Sequence, residues 1–188
     1  MVRPLFLIAW AIGLSQPSMP KSQLHRYAAT VQREAKEHNF DPFTMVALVH
    51  FESGWRASAI SRDGEDFGLA QIRARYLKPC RSDPDPVRSP SGACKAAQIS
   101  LLNGNANLKR AAYLIDANRK FCRKKTGRPA LFHRWLASYG GANRPSAGVF
   151  CGQKRSRKGW RDVKLRGVFS RVIKRRRWLA RKSKEIRR

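Results

Sequence analysis

The chain runs to 188 residues, with 40 Lys+Arg against 12 Asp+Glu, a formal net charge of +28 and a pI near 11.4. That length fits one domain able to bury its own core plus a tail, and excludes a large multidomain assembly. So basic a chain invites nucleic-acid binding, but the leader, the four cysteines and the glutamate motif described below all argue against that class.

Residues 1–20 combine Arg3, an apolar run from Leu5 to Leu14 and a polar exit containing proline. This reads as a secretory signal peptide that sends the chain to the periplasm or beyond the cell, the run being too short to span a bilayer comfortably; a short N-terminal membrane anchor is the alternative. Its removal leaves roughly 168 residues, still enough for one core. From Ser22 to His38, Leu24, Tyr27, Ala28, Val31 and Ala35 recur at helical spacing with charges between them, a packing helix. Asp41 is placed to cap the next helix and Pro42 to occupy its first position, where the missing N–H costs nothing. Phe43, Val46, Ala47 and Phe51 then share a face, and the run ends in Glu52. An acid at the end of a hydrophobic helix is partly removed from water, which disfavours its charged form and suits it to proton donation. Glu52 is therefore the candidate general acid, with Leu48 and Val49 as its apolar wall. His25, His38 and His50 are scattered and receive no role.

Beyond Glu52 come three spaced pieces: Glu52-Ser53-Gly54-Trp55, then Ala59-Ile60-Ser61-Arg62-Asp63-Gly64, then Gly68-Leu69-Ala70-Gln71-Ile72. Their order and composition resemble the soluble lytic transglycosylases, the SLT branch of the lysozyme-like superfamily. The loop departs from that pattern in carrying Glu65-Asp66-Phe67 where the family has a shorter apolar pair. Phe67-Gly68-Leu69 also looks like the goose-type lysozymes, which pair their glutamate with aspartates in this loop and just beyond the glutamine; Arg73 stands at the second of those positions here. The resemblance implies a mainly α, lysozyme-like catalytic domain over residues 22–152. Residues 153–188 are then a polybasic amphipathic tail.

Cys80, Cys94, Cys122 and Cys151 fit an oxidising compartment, and three pairings are open in principle. The preferred one joins Cys80 to Cys94, closing the Pro-rich loop Pro79 to Pro90, and Cys122 to Cys151, tying a helix end to the loop after the last core helix. With no Cys-x-x-Cys pair and no histidine nearby, no zinc site is expected, and no metal or cofactor is assigned. Ala96 to Leu102 and Leu108 to Phe121 read as two helices separated by Asn103-Gly104-Asn105. The second is similar to the family's Asn-Ile-x-x-Gly-x-x-Tyr-Leu helix at Asn107-Leu108 and Tyr113-Leu114, one residue short of its spacing. Phe132 to Ala142 resembles the family's Ala-x-Tyr-Asn-x-Gly ending, with Ala137 and Tyr139 matching and Gly140 in place of asparagine.

Carried onto this chain, the resemblance implies that Glu52 acts as acid and then base while Tyr139 orients it. Ser53, Gly68, Leu69 and Gln71 would contact substrate or scaffold the cleft, glycine allowing a glycan close to the backbone. The implied reaction is cleavage of the MurNAc–GlcNAc bond of peptidoglycan with formation of 1,6-anhydromuramoyl ends. Asp63, Glu65 and Asp66 are candidates for a second carboxylate, which would instead position water for lysozyme-like hydrolysis. A non-catalytic wall-binding module is the remaining alternative. In the tail, Leu165, Phe169, Val172, Ile173, Arg176 and Leu179 follow helical spacing, with Trp160 and Trp178 as amphipathic aromatics. A basic helix with an apolar stripe suits an anionic partner such as phospholipid, lipopolysaccharide or the acidic wall.

Overall fold

The computed structural model describes residues 4–127, 132–140, 143–163 and 167–187, and over them the chain is mainly helical. Helices α1 (Pro4–Gly13), α2 (Lys21–Glu37) and α3 (Pro42–Glu52) are followed by the two-residue strands β1 (Asp66–Phe67) and β2 (Ile72–Arg73). Then come α4 (Gly92–Leu101), α5 (Gly104–Thr126) and α6 (Phe132–Tyr139). A small antiparallel sheet of β3 (Val149–Phe150), β4 (Gln153–Ser156) and β5 (Gly159–Asp162) precedes the final helix α7 (Val168–Arg187).

α3 is the centre of the molecule. Every residue from Phe43 to Val49 is buried, because α1, α2 and α7 pack around it. A helix without a polar face is what such a position requires. Its start is as expected: the Asp41 carboxylate accepts a 3.0 Å bond from Phe43 N–H, and Pro42 fills the first turn. The same carboxylate takes Arg176 of α7 at 2.9 Å, so one residue both caps α3 and fastens the final helix.

The segment read as a leader forms α1, with Leu7, Ile8, Ala9, Ala11 and Ile12 buried against α2 and α3. No helix among the described residues is long and apolar enough to cross a membrane. Tyr27 of α2 is buried at the start of α5, where a Cβ on Gly104 would lie 2.2 Å from its hydroxyl oxygen. The break between α4 and α5 is shorter than the sequence suggests, because Asn103 caps α5 by accepting from Ala106 N–H and so brings Gly104 and Asn105 into the helix. Gly127, left-handed at φ 67°, closes it. Both preferred disulfides are present, Cys80–Cys94 and Cys122–Cys151, as suits an oxidising environment.

The tail differs from a continuous basic helix. Residues 153–162 form a hairpin, β4 pairing with β5 from Gln153–Asp162 to Ser156–Gly159, and Gly159 at φ 104° supplies the turn conformation that side chains resist. Trp160 therefore lies on a strand, edge-on to Phe150 at 6.3 Å, not on a helix. α7 does follow the expected spacing, but its apolar stripe faces inward: Val172 and Leu179 are fully buried and Trp178 stacks on Trp10 with ring centroids 6.4 Å apart. Leu165 of that stripe, and Gly141 and Ala142 of the motif after α6, lie outside the described residues.

Candidate functional site

Glu52 is the last residue of α3, and the chain reverses immediately beyond it through left-handed Gly54 (φ 61°) and Trp55 (φ 67°). Trp55 tolerates that conformation because its ring is buried, 6.1 Å from Tyr27. The returning chain forms the β1–β2 hairpin, whose turn Gly68–Gln71 is pinned by three separate elements. Ser53 Oγ donates to Leu69 O at 2.7 Å. Asn107 of α5, fully buried, donates to Phe67 O (2.9 Å) and Leu101 O (2.8 Å) and accepts from Ala70 N–H (2.8 Å). Tyr139 at the end of α6 donates to Ala70 O at 3.3 Å. Gln71, itself left-handed at φ 46°, braces the turn from within by donating to Ala59 O and Gly68 O. These bonds hold the hairpin rigidly against the end of α3, which is what a precise site needs.

Between the hairpin, α5, α6 and the start of α7 opens a cleft of about 790 Å³. Glu52 and Asp66 lie on its wall, together with Gln71, Tyr139, Gly140 and Phe169. Burial pushes the Glu52 carboxyl up from its ordinary 4.5 to about 7, and the neighbouring charge of Asp66 adds to the rise. Among the described residues nothing donates a hydrogen bond to it. Burial likewise pushes the Tyr139 phenol well above its ordinary value, with the charges of Glu52 and Asp66 adding, so it stays protonated and acts as a donor.

The three loop acids are drawn together by Arg73, the residue opposite Asp66 in the hairpin. Its guanidinium takes both Asp66 oxygens at 3.1 and 3.2 Å, meets Glu65 at 3.1 Å and Asp63 at 3.9 Å. Arg75 adds a second bond to Glu65. Asp66 alone of the three joins Glu52 in the cleft, and it does so as a carboxylate already held bidentately. Asp63 is exposed, its carboxyl pulled below the usual range by the Ser61 hydroxyl, and Glu65 turns toward Arg73 and Arg75.

Several expected residues sit elsewhere than foreseen. Gly68 and Leu69 are buried beneath the cleft and do not line it, and Ser53, also buried, serves as the scaffold partner of Leu69 and not as a substrate contact. Gly68 is needed for packing: at φ 74°, a Cβ there would meet Leu101 O at 2.1 Å and Asn107 Nδ2 at 2.3 Å. Tyr139 holds the hairpin through Ala70 and does not hydrogen-bond Glu52. Gly140, replacing the family's asparagine, makes room for Phe169, whose Cε1 lies 2.1 Å from where a Cβ would stand. The supposed tail thus contributes a cleft residue. Sequence reasoning missed Asn107 as the central clamp, Arg73 as the collector of acids, and Tyr76, Arg81, Arg110 and Tyr113 on the cleft wall. Asn107 carried a signal, an amide in the first turn of an amphipathic helix at a position the resemblance already marked, as it did Tyr113 in the same motif and Arg73 beyond the glutamine; Tyr76, Arg81 and Arg110 carried none. Among the described residues no group of three His, Cys, Asp or Glu side chains is placed to hold a metal ion.

The described residues form a mainly helical, disulfide-bonded chain in which the largely buried Glu52 carboxyl stands on the wall of an open cleft. Comparison with family models, curated proteins and solved structures returns no match to the chain.

Proposed function

We propose that this protein is a glycan-cleaving enzyme of the lysozyme-like kind, and specifically a peptidoglycan lytic transglycosylase with Glu52 as its single acid and base. The observation that carries the reading is a carboxyl held protonated to about pH 7 in a cleft, joined there by a carboxylate already occupied by Arg73. The motif around Glu52 adds the resemblance to SLT enzymes. In this scheme Glu52 gives its proton to the glycosidic oxygen as the bond to the anomeric carbon breaks. The substrate's N-acetyl oxygen stabilises that carbon. The Glu52 carboxylate then takes the proton of the C6 hydroxyl, whose oxygen closes onto the anomeric carbon, leaving a 1,6-anhydromuramoyl end and a restored acid. No water is consumed and no cofactor is needed.

Hydrolysis is the second reading, because Asp66 lines the same cleft. An inverting hydrolase needs a carboxylate free to accept a proton from water, and Arg73 engages both Asp66 oxygens, which favours the single-carboxyl route. Mass spectrometry of fragments released from purified peptidoglycan tests both. Anhydro ends lost in Glu52→Gln support the transglycosylase; reducing ends lost in Glu52→Gln and Asp66→Asn support hydrolysis. No release by a folded wild type refutes both and leaves a wall-binding module.

Export to the wall compartment belongs to the same reading, consistent with the disulfides. The outward face of α7 carries Arg171, Lys174, Arg177, Arg181, Lys184 and Arg187, with Glu185 its one acid. Such a face attracts anionic wall polymer or lipid headgroups through charge, more weakly as salt rises. Its apolar stripe is occupied by α3, so this attraction involves no insertion of that stripe into a bilayer.

A further inference from the structure

The arginines at the cleft divide into two sets. Arg73, on the cleft wall, and Arg75 just beyond it in sequence are neutralised by Asp63, Glu65 and Asp66. Arg81 and Arg110, which also line the cleft, have no carboxylate partner among the described residues. Arg110 projects from α5, its guanidinium carbon 4.9 Å from the centroid of the Tyr113 ring, a cation–π placement that holds the charge beside the aromatic face. Its Nε is out of contact with solvent and has no acceptor. The residue as a whole is only half-buried and lines the cleft, so an anion entering there would meet an uncompensated guanidinium. Arg81 is held by a 3.3 Å bond from its Nε to Tyr76 O, leaving its terminal nitrogens to a ligand.

The aromatics complete the pattern. Tyr76, from the 3₁₀ turn Ala74–Tyr76, is 63% exposed, and Tyr113 is 53% exposed. Large rings left in water at the wall of a cleft offer flat apolar faces with a hydroxyl at the edge, which match the C–H face of a pyranose and its hydroxyl rim. Glu52 and Asp66 line the same cleft, but Asp66 is already paired with Arg73, so the unpaired positive charge of Arg81 and Arg110 is what the cleft offers a ligand anion.

We propose that this wall is a binding site for an anionic glycan, in which Tyr76 and Tyr113 stack on sugar rings while Arg110 and Arg81 receive a carboxylate borne by the same strand. The proposal rests on the peptidoglycan reading of the cleft and adds to it the residues that select a carboxylate-bearing strand over a neutral one.

Affinity measured on full-length Glu52→Gln protein keeps binding separate from cleavage. The probes are peptidoglycan strands with their peptide stems, strands stripped of peptide that retain the lactyl carboxylate, and the neutral hexamer of N-acetylglucosamine. The anionic strands are expected to bind about tenfold or more tightly than the hexamer, the size of one charge-assisted contact. Adding Arg110→Gln with Arg81→Gln should erase that difference and leave the hexamer unchanged. Arg110→Lys should restore part of it, and Tyr113→Ala should weaken all three. Arg177→Gln, a charge removed from the exposed face of α7, should preserve the preference and so shows that it is not a general effect of a polycation. Peptide-bearing strands binding more tightly than stripped ones would assign the carboxylate to the stem; equal binding would assign it to the lactyl group. Equal affinity for neutral and anionic strands, or a preference that survives loss of both arginines, overturns the proposal. Wild-type cleavage with no such preference overturns this inference alone, whereas arginine-dependent binding with no cleavage overturns the catalytic reading alone.

Discussion

Replacing Glu52 with glutamine should make the protein more stable above neutral pH while removing its activity. The fold raises the Glu52 pKa from 4.5 to about 7, so the native state holds a proton that the unfolded chain releases. Between pH 4.5 and 7 the native state binds more protons than the unfolded one, and stability contributed by this group falls as pH rises. At about 1.4 kcal/mol per pH unit, the full interval corresponds to about 3 kcal/mol, reached above pH 7. Glutamine has the same shape and no charge to desolvate. Urea unfolding of both proteins, followed by the fluorescence of the five tryptophans, gives the difference directly. Near pH 4 the two should agree to within about 1 kcal/mol, and at pH 8 the variant should be more stable by up to about 3 kcal/mol. Other titrating groups cancel in the difference. A gap that stays flat to within about 0.5 kcal/mol from pH 4 to 8 would refute the reasoning, because it would mean that folding does not keep the carboxyl from water. The same protonation predicts that wild-type activity declines above about pH 7, roughly tenfold per unit, as the acid is lost.

Asp66→Asn removes the charge that adds to the burial of Glu52, so the alkaline limb of the pH–rate profile should move to lower pH while burial keeps it above the ordinary carboxylate range; an unmoved limb would count against coupling between the two. Asn107→Ala strands Phe67 O, Leu101 O and Ala70 N–H in the interior and should cost about 3 to 5 kcal/mol by urea unfolding, with Asn107→Asp also destabilising because a carboxylate cannot donate to the two carbonyls. Gly140→Ala should displace the Phe169 ring from its place at 2.1 Å, lowering activity more than stability, with a stability loss of about 1 to 2 kcal/mol. Adding Phe169→Ala should relieve that clash, and a double-mutant cycle showing no coupling would refute it.

α7 packs on α3 as part of the body of the molecule. Residues 154–188 include the β4–β5 hairpin, the Arg176–Asp41 pair and Phe169 of the cleft wall, so their deletion removes structure from the body and the site together. Charge-reversing substitutions at Lys174 and Arg177, both exposed, separate anionic-surface attraction from those contacts.

Local chemistry made much of the protein legible from its residues alone. Asp41 and Pro42 announce the start of α3, an unbroken apolar run announces its burial, and the run's end in an acid marks Glu52, all within a dozen residues. The cysteine pairs span short loops, with sequence separations of 14 and 29. What only the tertiary structure decided comes from partners far apart in the chain. Asn107 reaches Ala70 across 37 residues and Tyr139 reaches it across 69, and neither bond has a sequence period to betray it. Arg73 becomes a clamp because the hairpin register sets it opposite Asp66. Arg110 and Arg81 stand apart because, among the described residues, neither forms an ion pair with a carboxylate. Gly140 and Phe169 are each unremarkable alone, and their meaning arises where α6 and α7 cross. The apolar stripe of α7 is equally suited by its spacing to a membrane or to a helix, and the flank of α3 that α1 and α2 leave uncovered settles which surface it covers.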